Sequence, residues 1–585
     1  MSEGGDAQKG RRIAIIGVST LLLVAMVVAV TIGASRNEYG ADNDIEDSRR
    51  NHVSSTMRAV QSICQPTDYK KECVETLTAE AQAGNVTDPK ELIKIAFNVA
   101  MKKIGEQIKA TDLIHEVEKD PRSKDALETC KQLMDLSIGE FTRAIDGIDQ
   151  FNLNDIDRIL MNLKVWLNGA VTYMDTCVDG FENTTTDAGK KMKEILTSSM
   201  HMSSNALAII SDFADTFDNW NTSNLFGQRR LLDSDTPSWV SEHRMLFDAK
   251  TSSFKRKPNV TVALDGTGDV KTINEALLKV PEKSEKPFII YIKEGVYNEY
   301  VEVNKKMTYV VFVGDGGQKS RITGNKNFID GVNTYKTASV AIQGDHFTAI
   351  NMGFENSAGA HKHQAVALRV QGDKSIFFNC SMDGYQDTLY VHTMRQFYRD
   401  CTISGTIDFI FGNALSVFQN CTFVVRKPMS NQQCIVTAQG RKERFQPSAI
   451  VIQGGSIVSD PEFYPVRFDH KAYLARPWKN FSRTIFMDTF IDDLIHPDGY
   501  MPWQTPEGFS GMDTCFYAEY HNYGPGSDKS KRVHWAGIWN LNSKAAHWFA
   551  PSKFFHGKDW IEETGVPFFS SIPKHHRHKK TVLKW

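Results

Sequence analysis

The sequence predicts two fold classes in succession: an all-α helical bundle, then an all-β domain wound as a parallel β-helix. Three observations lead there. From about Ser54 to Phe217 apolar residues recur at steps of three and four. After about Asn259 they form short runs broken by Gly, Asp and Asn. Within that second half one short motif returns about every 20 residues, the mark of a coil stacked on itself.

Residues 1–35 precede both. Ile13 to Ser35 carries no charge and follows Arg11 and Arg12. A run of this length can span a bilayer, and the arginines keep its N-terminal side cytoplasmic. A cleaved signal peptide ending within Ile32 to Ser35 is the alternative. The run is long for one, so an uncleaved anchor that holds the precursor at the membrane is the expectation. Either route sends the remainder into the secretory pathway, and Asn85-Val-Thr, Asn183-Thr-Thr and Asn221-Thr-Ser fit as glycosylation sequons. The 585 residues are 41% hydrophobic and 24% charged with a net charge of -2, so charge gives no reason to expect a nucleic acid partner. The basic tail within residues 570–585 reads as a solvated end.

The helical half is assigned to residues 54–217. Ile93, Phe97, Ala100, Ile104 and Ile108 make one stripe, and Ile156, Ile159, Leu163, Trp166 and Ala170 another. Such spacing puts each set on one helix face. Nine cysteines in a secreted chain suggest disulfides and at least one unpaired thiol. Cys64, Cys73, Cys130 and Cys177 lie here, enough to pin a small bundle twice. Nothing in this half resembles a catalytic constellation, so it reads as a folding or binding module. The polar linker, residues 218–258, contains Arg229-Arg230 beside Leu231-Leu232. A dibasic pair in an exposed linker suits a processing protease, which requires an extended chain.

The β half is assigned to residues 259–569. "FIIYI", "TYVVFV", "ASVAI", "AVALRV", "AIVIQ" and "TIFMD" read as strands. "FFNCS" (Phe377 to Ser381), "YRDCT" (Tyr398 to Thr402) and "FQNCT" (Phe418 to Thr422) share one frame: Asn or Asp, then Cys, then Ser or Thr. Their cysteines, Cys380, Cys401 and Cys421, recur at a nearly constant step. In a coil of that period, equivalent residues stack about 4.8 Å apart. That spacing admits a disulfide between Cys401 and Cys421, and equally between Cys380 and Cys401. A sandwich carrying a chance repeat is the alternative fold.

Gln364, Gln386 and Asp408 are equally spaced at a step close to that period, and Asp387 adjoins Gln386. In such a coil they are expected to project near one another from three consecutive turns. One ionised and one protonated aspartate can supply a nucleophile and a proton donor. Glutamine N–H groups can hold an oxyanion. That set suits acyl transfer without serine, although paired acids also hydrolyse glycosides. Arg476 offers a fork able to hold a carboxylate in its ionised form. Trp478, two residues on, would share that face of an extended segment and offers a platform for a sugar.

"HQAVALRV", "DGYQDTLY", "GTIDFIFGNA" and "LARPW" occur in order, and with them residues 259–569 closely resemble plant pectin methylesterases. The first half resembles the inhibitor-like pro-region found ahead of many of these enzymes, and "RRLL" resembles its processing site. The resemblance implies a right-handed parallel β-helix that hydrolyses the C6 methyl esters of pectin in the plant cell wall, without a cofactor or metal. It implies Asp408 as nucleophile, Asp387 as acid and then base, and Gln386 and Gln364 as ligands of substrate and oxyanion. It further implies Arg476 orienting Asp408, Trp478 and Thr334 contacting substrate, and Phe411 and Tyr390 lining the cleft. The pairings it implies are Cys64–Cys73, Cys130–Cys177 and Cys401–Cys421. A processing protease, a separate inhibitor protein and, before processing, the membrane are the other expected partners, with the apoplast as destination.

Three positions depart from the family pattern. Ala475 stands where a glycine is usual, "GDHF" replaces "GDGF", and Tyr500 stands where a tryptophan is usual, which puts a contact at the cleft edge in doubt. None is a proposed acid or amide, so activity is expected. The rival readings are another pectin-active β-helix, a lyase or glycosidase, and a non-enzymatic wall-binding or inhibitor protein.

Overall fold

The computed structural model describes residues 55–107, 120–150, 155–182, 184, 187–219, 247–248, 253–254 and 257–572. The expected membrane segment, Arg229-Arg230, the sequons at Asn183 and Asn221 and the basic tail from Lys574 lie outside them. Among the described residues no helix is long and apolar enough to cross a membrane. Contacts divide the chain into two units. One comprises Met1–Ala110, Met134–Val171 and Lys193–Asn221; the second comprises Thr111–Leu133, Thr172–Met192 and Thr222–Trp585.

Helices α1 (Ser55–Cys64), α2 (Lys70–Ala83), α3 (Pro89–Gln107), α4 (Pro121–Asp149), α5 (Ile156–Asp179) and α6 (Ala188–Asn219) make up the helical half. In the first unit, the α3 stripe is buried at Ile93, Phe97, Ala100 and Ile104. The α5 stripe is buried as expected at Ile156, Leu163 and Ala170 but not at its other two positions. Leu160 and Leu167 are buried while Ile159 and Trp166 are half-covered. The reason is on the Trp166 ring, which takes the Arg143 guanidinium 4.4 Å from its centre and so faces the rim of the core. A disulfide ties Cys64 to Cys73 in the first unit, and another ties Cys130 to Cys177 in the second.

In the second unit, residues 260–540 wind into a right-handed β-helix with three parallel sheets of 11, 8 and 7 strands. The six apolar runs all contribute strands, in the 11- and 7-stranded sheets. The Cys-centred motif is one turn of this coil. Phe377, Tyr398 and Phe418 are in register, and their rings stack at 4.9 and 4.4 Å. The next motif residue turns the corner into the 8-stranded sheet. Asn379, Asp400 and Asn420 all have positive φ, 52°, 53° and 54°, which Asn and Asp tolerate better than most residues. Asn420 Nδ2 donates to Asp400 Oδ1 at 2.6 Å, so the corner residues also bond along the coil.

Cys380, Cys401 and Cys421 follow those corners and point into the core, where all three are free thiols. The expected Cys401–Cys421 bond is not formed. Each thiol instead donates to a carbonyl of the preceding turn: Cys380 to Ala349 O at 3.5 Å, Cys401 to Phe377 O at 3.4 Å and Cys421 to Tyr398 O at 3.7 Å.

Candidate active site

The 7-stranded sheet carries the site. Arg369, Tyr390, Phe411 and Ala438 are in register on four neighbouring strands. Gly412 follows with φ +130°, and a Cβ there would lie 2.0 Å from Val391 O, so only glycine lets these strands approach. The rings of Tyr390 and Phe411 stack at 4.2 Å, and Trp478 stands edge-on to them at 6.5 and 5.9 Å.

Asp387 precedes the strand Leu389–Val391 by two positions, and Asp408 precedes Ile410–Gly412 by two. Leu389 and Ile410 are partners, so the aspartates occupy the same corner of adjacent turns, about one strand spacing (~4.8 Å) apart. Both corners have positive φ, 63° and 50°. The repeat at this sheet is therefore the step from Asp387 to Asp408, one position shorter than the step from Gln386 to Asp408. Gln364 and Gln386 lie four and three positions ahead of the partners Leu368 and Leu389, so they do not stack with Asp408 as the equal spacing suggested. They stand progressively further back along the same bend. The Ala365 amide donates to Gln386 O and the Asp387 amide to Ile407 O, which fixes the rungs between them.

The acid pair is covered and asymmetric. Asp387 and Asp408 are 7% and 5% exposed. Arg476, immediately after the strand Ala472–Ala475, forks onto Asp408, with Nε 2.8 Å from Oδ1 and a terminal nitrogen 2.5 Å from Oδ2. The Trp503 ring lies 4.3 Å from that guanidinium. No sequence pattern singles out Trp503, although it sits in the "GYMPW" segment that departs from the family at Tyr500. Burial, and then the charge of Asp408, raise the Asp387 carboxyl well above the usual range, with Arg476 working against them. The site thus sets an aspartate forked by arginine beside one whose burial opposes its charge. Gln386 Oε1 is buried with no hydrogen-bond partner. Thr334 opens the short helix Thr334–Lys336 and is half-covered.

The departures fall where they do little harm. Ala475 is within a strand and is not among the positive-φ residues, so a glycine is not required there. His346 does have positive φ, 59°, and stacks on Tyr309 at 4.2 Å. Tyr500 is 1% exposed and donates to Glu519 Oε1 at 3.3 Å. It is an interior residue, so the doubt over a cleft-edge contact there does not apply. Among the described residues no three His, Cys, Asp or Glu side chains are grouped to hold a metal ion.

Helical residues of the second unit meet this same sheet. Asp175 and Asp179 accept from Lys442 Nζ at 2.6 Å and Lys479 Nζ at 2.7 Å. Thr176 Oγ1 lies 2.8 Å from His392 Nε2, and Thr172 Oγ1 accepts from Asn413 Nδ2 at 2.9 Å.

A parallel β-helix with a buried aspartate pair, one member forked by arginine, defines a class of acid-based hydrolase. Residues 259–558 match the pectinesterase family and residues 58–209 the plant invertase/pectin methylesterase inhibitor family. The "Probable pectinesterase/pectinesterase inhibitor 21" of Arabidopsis thaliana is 47% identical over 575 residues, 98% of this chain and 84% of that protein. The "Probable pectinesterase/pectinesterase inhibitor 58" of the same organism is 45% identical, covering 98% of this chain and all of the relative. The solved structure of a pectin methylesterase from carrot shares 45% identity with a TM-score of 0.53, covering 55% of this chain and 100% of its own. The chain belongs to the pectinesterase family, whose members are carboxylic ester hydrolases.

Proposed function

We propose that the chain hydrolyses the C6 methyl esters of homogalacturonan, giving pectate and methanol. The observation that carries this reading is the Arg476 fork on Asp408 beside Asp387, which is buried on the adjacent turn where its charge is opposed. The fork uses one lone pair on each Asp408 oxygen and leaves others for attack. Asp408 attacks the ester carbonyl, and the side-chain amides of Gln386 and Gln364 stabilise the resulting oxyanion. The tetrahedral intermediate collapses as Asp387 gives its proton to the departing methoxide, which leaves as methanol. Asp387, now ionised, takes a proton from water, and the hydroxide cleaves the acyl-enzyme anhydride to free Asp408 and the galacturonate carboxylate. Trp478 and Thr334 contact the sugar. A carboxylate pair alone also suits glycosidases; membership of an esterase family decides between the two chemistries.

The helical half is proposed to hold the enzyme inactive until a protease cuts at Arg229-Arg230, after which the enzyme works in the cell wall. Supporting this are the ion pairs that Asp175 and Asp179 make beside Trp478. A precursor anchored through residues 13–35 and regulation by a separate inhibitor protein belong to the same reading.

The test is methanol released from highly methyl-esterified pectin by the secreted wild-type protein and by Asp408→Asn. Loss of at least about a thousandfold is expected for a folded variant. Near-normal turnover in that variant would sink the assignment.

A further inference from the structure

Three lysines lie close to Trp478 or Thr334, the proposed sugar contacts. Lys479 adjoins Trp478 and holds Nζ 5.0 Å from its ring centre. Lys442 lies two positions beyond Gly440, where a Cβ would come within 2.8 Å of the Trp478 ring. Lys336 lies two positions after Thr334. Each takes its hydrogen-bonded carboxylate from a helical residue of the second unit. Lys442 pairs with Asp175 at 2.6 Å, Lys479 with Asp179 at 2.7 Å and Lys336 with Asp125 at 2.6 Å. Residues 257–572 offer Lys442 only a weaker acidic neighbour, Glu443. Asp175 and Asp179 are one helical turn apart on one helix face, about 6 Å along its axis.

These pairs are partly enclosed: the side chains of Asp175, Asp179 and Lys479 are 10%, 20% and 21% exposed. Ammonium groups in such places are costly without a counter-anion. Processing that removed the helical residues would take away the hydrogen-bonded carboxylate of each of these lysines. The proposed reaction generates their natural replacement, since every turnover converts a neutral ester on the polymer into a carboxylate.

We propose that Lys442 and Lys479, together with Lys336, are subsites for the free carboxylates of galacturonate residues in the substrate, and that Asp175, Asp179 and Asp125 occupy them as stand-ins. This rests on the pectin reading above. A compact ammonium with three donors suits a carboxylate that arrives in varied orientation. Esters flanked by free acids are then the preferred substrates.

The full-length protein carries the test, with binding of two probes measured by calorimetry: de-esterified oligogalacturonate and its fully methyl-esterified counterpart. Asp175→Asn/Asp179→Asn and Lys442→Gln/Lys479→Gln break the same two ion pairs, so both loosen the helical residues and raise apparent affinity for whatever enters the cleft. Only the lysine variant also removes the subsites. About tenfold tighter binding of both probes is expected in the aspartate variant. In the lysine variant the methyl-esterified probe gains and oligogalacturonate does not. Placed on the Asp175→Asn/Asp179→Asn background, Lys442→Arg/Lys479→Arg should keep much of the oligogalacturonate gain and Lys442→Gln/Lys479→Gln should lose it, which mere misfolding of the glutamine variant would not explain, since its methyl-esterified probe still gains.

Equal gains for oligogalacturonate in both variants would overturn the lysine subsites, and no gain for either probe in the aspartate variant would overturn the stand-in role. Methanol release from the methyl-esterified probe is read on the same samples. Its presence with either overturning pattern sinks this inference alone. Its absence from every folded variant, with neither probe bound, sinks the pectin reading and this inference with it.

Discussion

Asp387 ties the chemistry to stability. Its folded-state carboxyl binds a proton more tightly than the unfolded chain does, because burial and then Asp408 oppose its charge. Stability is therefore lost as pH rises from the ordinary aspartate value, about 3.9, through the raised folded value, and it does not return above that. Asp387→Asn removes the ionisation. The variant should melt higher than wild type at neutral pH, by about 2–4 °C per kcal/mol regained, with the gap narrowing at pH 4 and below. A thermal shift that does not vary with pH would contradict the assignment. In the proposed mechanism this same proton is delivered to methoxide, so acyl-enzyme formation in the wild type should fall on the alkaline side, which pre-steady-state methanol release would measure. Trp503 shows what residue-by-residue reading misses. No spacing rule links it to Arg476; the two meet because Tyr500 pairs in parallel with Ala475, which brings the residues after each side by side.

At the scale of the element, the corner is the unit that the sequence repeats. An Asn or Asp at positive φ bends each turn from one sheet into the next, and its side chain can bond to the equivalent residue on an adjacent turn. Asn379→Ala should cost about 1–2 kcal/mol from the left-handed backbone alone, plus the bond that Asn379 Nδ2 makes to Asn351 Oδ1 at 2.7 Å. Asn379→Gly, free of the Cβ conflict, should cost less. Chemical denaturation of both variants checks the order; alanine tolerated as well as glycine would refute it. The aspartate pair uses the same device, with positive φ at a shared corner of the 7-stranded sheet. That explains why the step from Asp387 to Asp408 brings two carboxylates together, while the slightly longer step between the glutamines does not stack them with the acids.

At the scale of the whole molecule, the chain joins an esterase-family β-helix to residues of an inhibitor family. If the helical acids hold the cleft, blocking the cut should hold the activity down. Arg229→Ala/Arg230→Ala, secreted intact, is expected to release methanol at no more than about a tenth of the processed rate, one ion pair's worth of competition being about tenfold. Comparable rates from the intact and processed proteins would argue against restraint by the helical half. Thiol labelling of the denatured chain addresses the cysteines. Five described thiols, Cys380, Cys401, Cys421, Cys434 and Cys515, should react without reductant; three would mean that two of them are joined.

Much of the fold was legible because its causes are local and periodic. Apolar steps of three and four, short strands and a repeated Asn/Asp–Cys–Ser/Thr corner each follow from one stretch of chain, and they suffice for a bundle followed by a coil. Four motifs then named the family. Tertiary structure alone decided what depends on register and on residues distant in sequence. It set the step that aligns Asp387 with Asp408, put Leu160 and Leu167 in the core in place of Ile159 and Trp166, buried Tyr500 and left Cys401 and Cys421 as thiols. It also brought Asp175 and Asp179 to Lys442 and Lys479, far along the chain. The physical reason is that a pattern fixes which face of an element is apolar, whereas a pairing between charges is fixed only when distant elements pack and water is removed between them.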